Sequence, residues 1–335
     1  MDIEQSRARR AEQQRVLRRR RRRAVAFLLG VLAAVVAIVV ASLASGGSRS
    51  SSTPTTPPPS AAARGRARAG AGARSNGLPP ATPPADARGT GRPGTAAVPI
   101  LTYHVINPPP AGAPFPGLYV PAAEFADQMH ALAHAGWHAV TLDQLEAYWR
   151  RGVPLPPGRP IVVTFDNGYH SQYANALPVL RALRWQGDLN MQLTGLPPSQ
   201  GGLSTREIRA LIRAGWEVDT QGISHADLIT LDAAELHDQI AVARRTIQDR
   251  FGVAVNWFCY PSGHYDATVI DAVRAAGFVG ATTTIPGWSR PTQDPYRLER
   301  IRVLGGTTGG QLLALLAATE GNGPPPSSYS GGSAT

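Results

Sequence analysis

From Val98 onward, short strand-like runs alternate with helix-like ones, and this alternation limits the fold more than any other feature. VPILTYHVI is followed by AAEFADQMHALAHAG, whose Phe125, Met129 and Leu132 share one helical face. HAVTL then leads into LDQLEAYWRRG, PIVVTF into a helix near 172–184, DLNMQLTG into STREIRALIRAG, and WEVDT into a longer helix starting at Asp232 and Glu235. NWFCYP precedes DATVIDAVRAAG, and FVGATTT follows it. Thr141 with Gln144, and Ser204 with Glu207, have capping-box spacing. Three helices end alike, in AGW at 135–137, AGW at 214–216 and AGF at 276–278. Glycine there suits a left-handed C-cap, and the aromatic re-enters the core as the next strand starts. About seven such units over roughly 220 residues match a β/α barrel in size. A doubly wound open sheet is the alternative, because alternation alone does not show closure.

The chain before Val98 is of another kind. The full chain of 335 residues carries a formal charge of +10, with arginine supplying every one of the 33 basic residues. Seventeen of those arginines precede residue 98, so 16 face 19 acids beyond it and the folded part is about −3. A nucleic-acid groove is therefore not expected. Residues 1–23 form an arginine-rich tail ending directly at an uncharged apolar stretch, 24–45. That stretch has the ~20 residues needed to cross a bilayer. The positive-inside rule keeps the tail cytoplasmic and sends everything after Ser45 outward. A cleaved signal peptide competes with an anchor, since SLASGG offers small residues, but its apolar region is normally shorter. Residues 46–97, built from Pro, Ala, Gly, Ser, Thr and Arg, lack core-forming side chains and read as a disordered linker. The expected folded domain spans 98–320, with a disordered tail at 321–335. Cys259, the only cysteine, cannot form an internal disulfide and reads as a buried packing residue.

Working residues in β/α folds gather beyond the carboxyl ends of the strands. His104 ends the first strand, Asp166 and Asn167 end the third, DTQGISHADL carries Gln221 and His225 after the fifth, and YPSGHYD follows the sixth. Each alone has a plain structural explanation: a core histidine, an Asp-Asn-Gly turn, a helix cap. Their joint placement favours a site.

From VPILTYH to DPYRLERIRV the sequence resembles the polysaccharide deacetylases of the carbohydrate esterase 4 (NodB-like) group, and most closely its poly-N-acetylglucosamine branch. The motifs in register are LTYH, EFADQM, GWHAVTLDQL, VVTFDNGY, ALPVL, AGWEVDTQGISHADL, FCYPSGHYD, AGF and YRLERIRV. The resemblance implies a distorted (β/α)7-type barrel, here preceded by a single transmembrane helix, and a metal-dependent de-N-acetylase. It places Asp166 on the catalytic base, His104 on the general acid, and Asn167, Gln221 and His225 on the three metal-ligand positions. Tyr260, Pro261 and Ser262 fall on the substrate groove motif, and Arg300 on a late arginine grouped with the substrate-binding residues. The family pattern has aspartate at 167 and histidine at 221, so two of three ligands have become carboxamides. The divalent ion, Zn or Co, Ni or Mn, is then expected to be weakly bound or absent, or to take added ligands from His170, His264 or Asp219. The expected function is removal of N-acetyl groups from a cell-surface or cell-wall glycan by a membrane-anchored, extracytoplasmic enzyme. A catalytically inactive glycan-binding protein is the alternative.

Overall fold

The computed structural model describes residues 89, 91–196 and 200–331. The arginine-rich tail, the expected anchor and nearly all of the expected linker lie outside the described residues. Among the described residues no helix is long and apolar enough to cross a membrane.

The predicted alternation is present. The strands are β1 (Val98–Tyr103), β2 (Trp137–Ala139), β3 (Arg159–Asn167), β4 (Asp188–Met191), β5 (Glu217–Thr220), β6 (Trp257–Cys259), β7 (Gly280–Thr282), β8 (Trp288–Ser289) and β9 (Ile301–Arg302). Between them run α1 (Ala122–His134), α2 (Leu142–Arg151), α3 (Leu177–Ala182), α4 (Thr205–Arg213), α5 (Ala233–His237), α6 (Ala243–Phe251) and α7 (Ala267–Ala275), and α8 (Gly309–Thr319) follows β9. Both capping boxes form, as does a third at Asp232 and Glu235. Gly136, Gly215 and Gly277 take φ of 81°, 86° and 85°, the left-handed turn that lets Trp137, Trp216 and Phe278 re-enter the core.

The sheet order is β7-β6-β5-β4-β3-β1-β8, parallel except for β8, with β2 beside the start of β3 and β9 beside β1. Leu298 bridges Thr282 of β7, and Ile301 and Arg302 pair with β1. The expected barrel is thus a curled parallel sheet whose ends meet through the 298–302 segment and one isolated bridge. Its outward side packs Tyr103, Val163, Phe165, Leu189 and Val218 against the helices. Strand alternation turns Thr164, Asp166, Asp188, Asn190, Glu217, Asp219 and Cys259 the other way, making the interior unusually polar.

The expected disordered tail needs correction over 321–331. Tyr329 and Tyr265 exchange two backbone hydrogen bonds of 2.8 Å, and the Tyr265 hydroxyl donates to the Pro326 carbonyl. Backbone pairing of this kind leaves no mark in a Pro/Ser/Gly composition.

At the floor of the sheet, carboxylates hold α2 in place. Leu142 N–H donates to Asp188 Oδ2 and Asp143 N–H to Glu217 Oε2, both at 3.0 Å, so a buried and a half-buried acid cap the helix N-terminus. Asp219 Oδ1 accepts from the backbone of Asn256 and Trp257. Burial, then repulsion among Asp143, Glu217, Asp219 and Asp188, pushes Asp188, Glu217 and Asp219 well above the usual carboxylate range. An acid whose folded pKa is raised stabilises the fold below its unfolded value, and that stability is lost as pH rises through the folded value. Melting temperature should accordingly fall as pH rises above an unfolded carboxylate value of about 4. Asp219→Asn keeps an oxygen for the two N–H donors and should flatten the slope; an unchanged slope would show that the cluster does not govern it.

Candidate active site

The mouth of the curled sheet is built around Asp166. It lies near the end of β3 and is 2% exposed, so its charge must be met from within the protein. Arg300 does this with two parallel bonds, from Nη1 to Oδ1 at 2.8 Å and Nη2 to Oδ2 at 2.9 Å. Asn190 Nδ2 adds a bond to Oδ1 at 2.9 Å, and the Cys259 thiol lies 3.5 Å from Oδ2. Burial alone raises the Asp166 pKa, but the Arg300 charge and its hydrogen bonds, with His104 and Asn190, bring it down to about 2. A carboxylate so fully occupied is a weak proton acceptor and a strong fixed charge.

Arg300 is 1% exposed and also donates to Thr283 O and Thr164 Oγ1. Its grouping with the substrate-binding residues is corrected by this burial: it positions Asp166 from inside the sheet. Cys259 is buried as expected, and burial raises its thiol to about 12, excluding a thiolate nucleophile near neutrality.

His104 follows β1, with Nε2 4.0 Å from Asp166 Oδ2. Its backbone carbonyl accepts from Gln172 Nε2, which also bonds Asp166 O and so ties the two strand ends together. Burial lowers its pKa to about 4, against the opposing pull of Asp166. The imidazole is therefore neutral near pH 7, the form of a proton acceptor rather than of a preformed acid. An NMR titration should place its midpoint near pH 4; a midpoint near 6.5 would overturn this assignment.

Asn167 and Gln221 meet directly. Asn167 takes φ of 74°, a left-handed conformation that asparagine tolerates, and the following Gly168 takes 91°. Asn167 N–H donates to Gln221 Oε1 at 3.1 Å, and Asn167 Nδ2 donates to Gln192 Oε1 at 2.8 Å. His225, with φ of 54°, lies close enough to Asp166 and His264 for their charges to bear on its pKa, which burial lowers.

Other expected site residues lie elsewhere. Tyr260 is fully buried, its hydroxyl on Tyr296 O and its N–H on Thr282 O, and Pro261 is buried beside it; only Ser262 of the groove motif is exposed. Tyr260 and Pro261 therefore shape the loop rather than line a groove. The suggested added ligands are engaged as well: Asp219 at the floor, His170 with Glu207, and His264 with Asp227, each histidine pair at 3.0 Å.

These residues do not suit a resident metal. The three ligand positions offer one imidazole and two neutral amides, and the charge of Asp166 is already matched by Arg300. The Gln221 oxygen, its ligand atom, is bound to Asn167 N–H. Among the described residues no group of three or more His, Cys, Asp or Glu could hold a metal ion. Within the expected His225, Asn167 and Gln221 set, the two amides are thus engaged in hydrogen bonds of their own and His225 is the one conventional ligand.

Asn190, Gln172 and Gln192 were missed by the sequence reading. A signal was available in DLNMQ, where polar residues recur at 188, 190 and 192 with the period of a strand.

Fold and mouth together define a β/α protein that sets an imidazole beside a buried, arginine-clamped carboxylate. Residues 155–281 match the polysaccharide deacetylase family model. YxkH of Bacillus subtilis (strain 168), a protein named as a polysaccharide deacetylase, is 25% identical over 221 residues, covering 66% of this chain and 76% of that one. The poly-β-1,6-N-acetyl-D-glucosamine N-deacetylase of Escherichia coli (strain K12) is 37% identical over 59 residues, 18% of this chain and 9% of its own length. The crystal structure of a Bacillus cereus polysaccharide deacetylase superposes with a TM-score of 0.58 at 26% identity, over 66% of this chain and 69% of that one. The chain thus carries a polysaccharide deacetylase domain, of a family of carbon–nitrogen amide hydrolases that act on N-acetyl groups and generally depend on a divalent metal.

Proposed function

We propose that the domain removes N-acetyl groups from an N-acetylglucosamine polymer at the cell surface, with His104 as the proton carrier. The neutral imidazole beside the fixed Asp166–Arg300 pair carries this reading. Water attacks the acetamide carbon as its proton passes to His104 Nε2. The same proton then goes to the departing nitrogen as the C–N bond breaks, giving acetate and a free amine. Asp166 stays ionised throughout, and its charge, 4.0 Å from Nε2, stabilises the imidazolium that forms. The choice of polymer rests on the stretch shared with the Escherichia coli enzyme. In the same proposal the apolar segment 24–45 anchors the domain outside the cytoplasm, and an activity reporter fused after Thr335 should work only there.

A second reading, glycan binding without hydrolysis, is favoured by the two carboxamides at 167 and 221. Acetate release from N-acetylated chitooligosaccharides by the full chain separates the two. His104→Ala should lower turnover about 10²-fold or more if the histidine moves the proton. Saturable binding with no acetate formed would select the second reading.

A further inference from the structure

We propose that Asn167 and Gln221 form an acetamide-recognition pair: Asn167 Oδ1 accepts the N–H of an N-acetyl sugar, and Gln221 Nε2 donates to its carbonyl oxygen. The inference rests on the reading of the site as one for N-acetylated glycans, and it gives the two substituted positions a function of their own.

The orientation of both amides follows from backbone groups. Side-chain amide oxygen and nitrogen are distinguished by their partners, so a partner that can only accept or only donate settles the matter. The Thr194 carbonyl can only accept, and Gln192 Nε2 donates to it at 2.6 Å. Gln192 Oε1 is thereby turned to Asn167 and can only receive Nδ2, at 2.8 Å. The Asn167 N–H can only donate, and it takes Gln221 Oε1 at 3.1 Å. Asn167 Oδ1 and Gln221 Nε2 are the halves left over, one acceptor and one donor, without a hydrogen bond among the described residues.

In kind, one acceptor and one donor, these two leftover atoms match the N–H and carbonyl of an acetamido group. A secondary amide offers one N–H donor and one carbonyl acceptor, whereas a free amino sugar lacks the carbonyl and carries a cation near neutrality. The pair sits on residues 6% and 2% exposed at the end of β3 and just after β5, the first beside Asp166 in sequence and both at the same carboxyl end of the parallel strands as His104. A donor at Gln221 Nε2 also meets the developing negative charge on the acetyl oxygen when water adds, the role side-chain amides play in oxyanion holes. Gln192 acts through Asn167 and is a positioning residue.

Isothermal titration calorimetry on the full chain in excess EDTA, with N-acetylated and fully de-N-acetylated chitotetraose, tests this. The acetylated tetramer should bind at least tenfold more tightly, and Zn²⁺ added to the EDTA-free protein should give no saturable heat. Gln221→Glu keeps an oxygen for Asn167 N–H but turns the outward donor into an acceptor, so it should lose the preference for the acetylated tetramer. Gln192→Leu frees the Asn167 amide and should lose part of it; melting curves for both variants establish that they are folded. Equal binding of the two tetramers, saturable Zn²⁺ binding by the parent, or an undiminished preference in folded Gln221→Glu would each overturn the pair while leaving glycan binding intact. Binding of neither tetramer would overturn the glycan reading itself.

Discussion

Replacing Arg300 with methionine is expected to destabilise the domain by about 3–5 kcal/mol, the usual consequence of leaving one partner of a buried ion pair alone. Both side chains are almost fully buried, so solvent cannot take over from the guanidinium. Denaturant unfolding measures the loss. Asp166→Asn in the Arg300→Met background should restore much of it, because the double variant holds no uncompensated carboxylate and Asn190 still has an oxygen to bond. The carboxyl of Asp166 should also titrate upward from about 2 in the single variant, a shift that packing defects elsewhere would not produce. A stability change under about 1 kcal/mol, with effects confined to glycan affinity, would return Arg300 to the substrate-binding group.

How much of this was legible in the sequence depends on which interactions hold each part. The helices and their limits were readable because capping boxes and AGW or AGF endings are local: the atoms that stop a helix lie within four residues of it. Convergence of His104, Asp166 and Gln221 was readable because strand alternation delivers carboxyl ends to one face. The partners of those residues were not. Arg300 lies 134 residues from Asp166, and nothing near YRLERIRV tells a guanidinium turned inward from one turned to solvent. The Tyr260 motif misled for a related reason, since a turn at the mouth can place its aromatic ring in the core, here beside Phe258 and Tyr265. The floor cluster was half visible, in the period-two polar residues of EVD and DLN, but which face they share is set by the curl of the sheet.

Restoring an Asp-His-His set by Asn167→Asp with Gln221→His is expected to raise Zn²⁺ affinity by several orders of magnitude, roughly the span separating neutral amides from carboxylate and imidazole ligands. The hydrogen bonds of the two amides give a reason why the single changes should be poor. Asn167→Asp alone would set a carboxylate against Gln192 Oε1, whose amide is held in place by Thr194, so the unloaded protein should lose stability. Gln221→His alone would remove the acceptor that serves the Asn167 N–H, again without supplying charge. Together the two changes give a dication both an anion and a second imidazole beside His225, while Asp166 stays paired with Arg300. Zinc should then raise the melting temperature of the double variant, by an amount corresponding to about 4 kcal/mol at a thousandfold excess over Kd, and leave the parent unchanged. The same substitution removes the Gln221 donor, so acetamide preference in EDTA should disappear as metal binding appears. A double variant that melts cooperatively yet gains no zinc stabilisation would show that positions 167 and 221 cannot converge on one ion, and that the carboxamides replaced nothing.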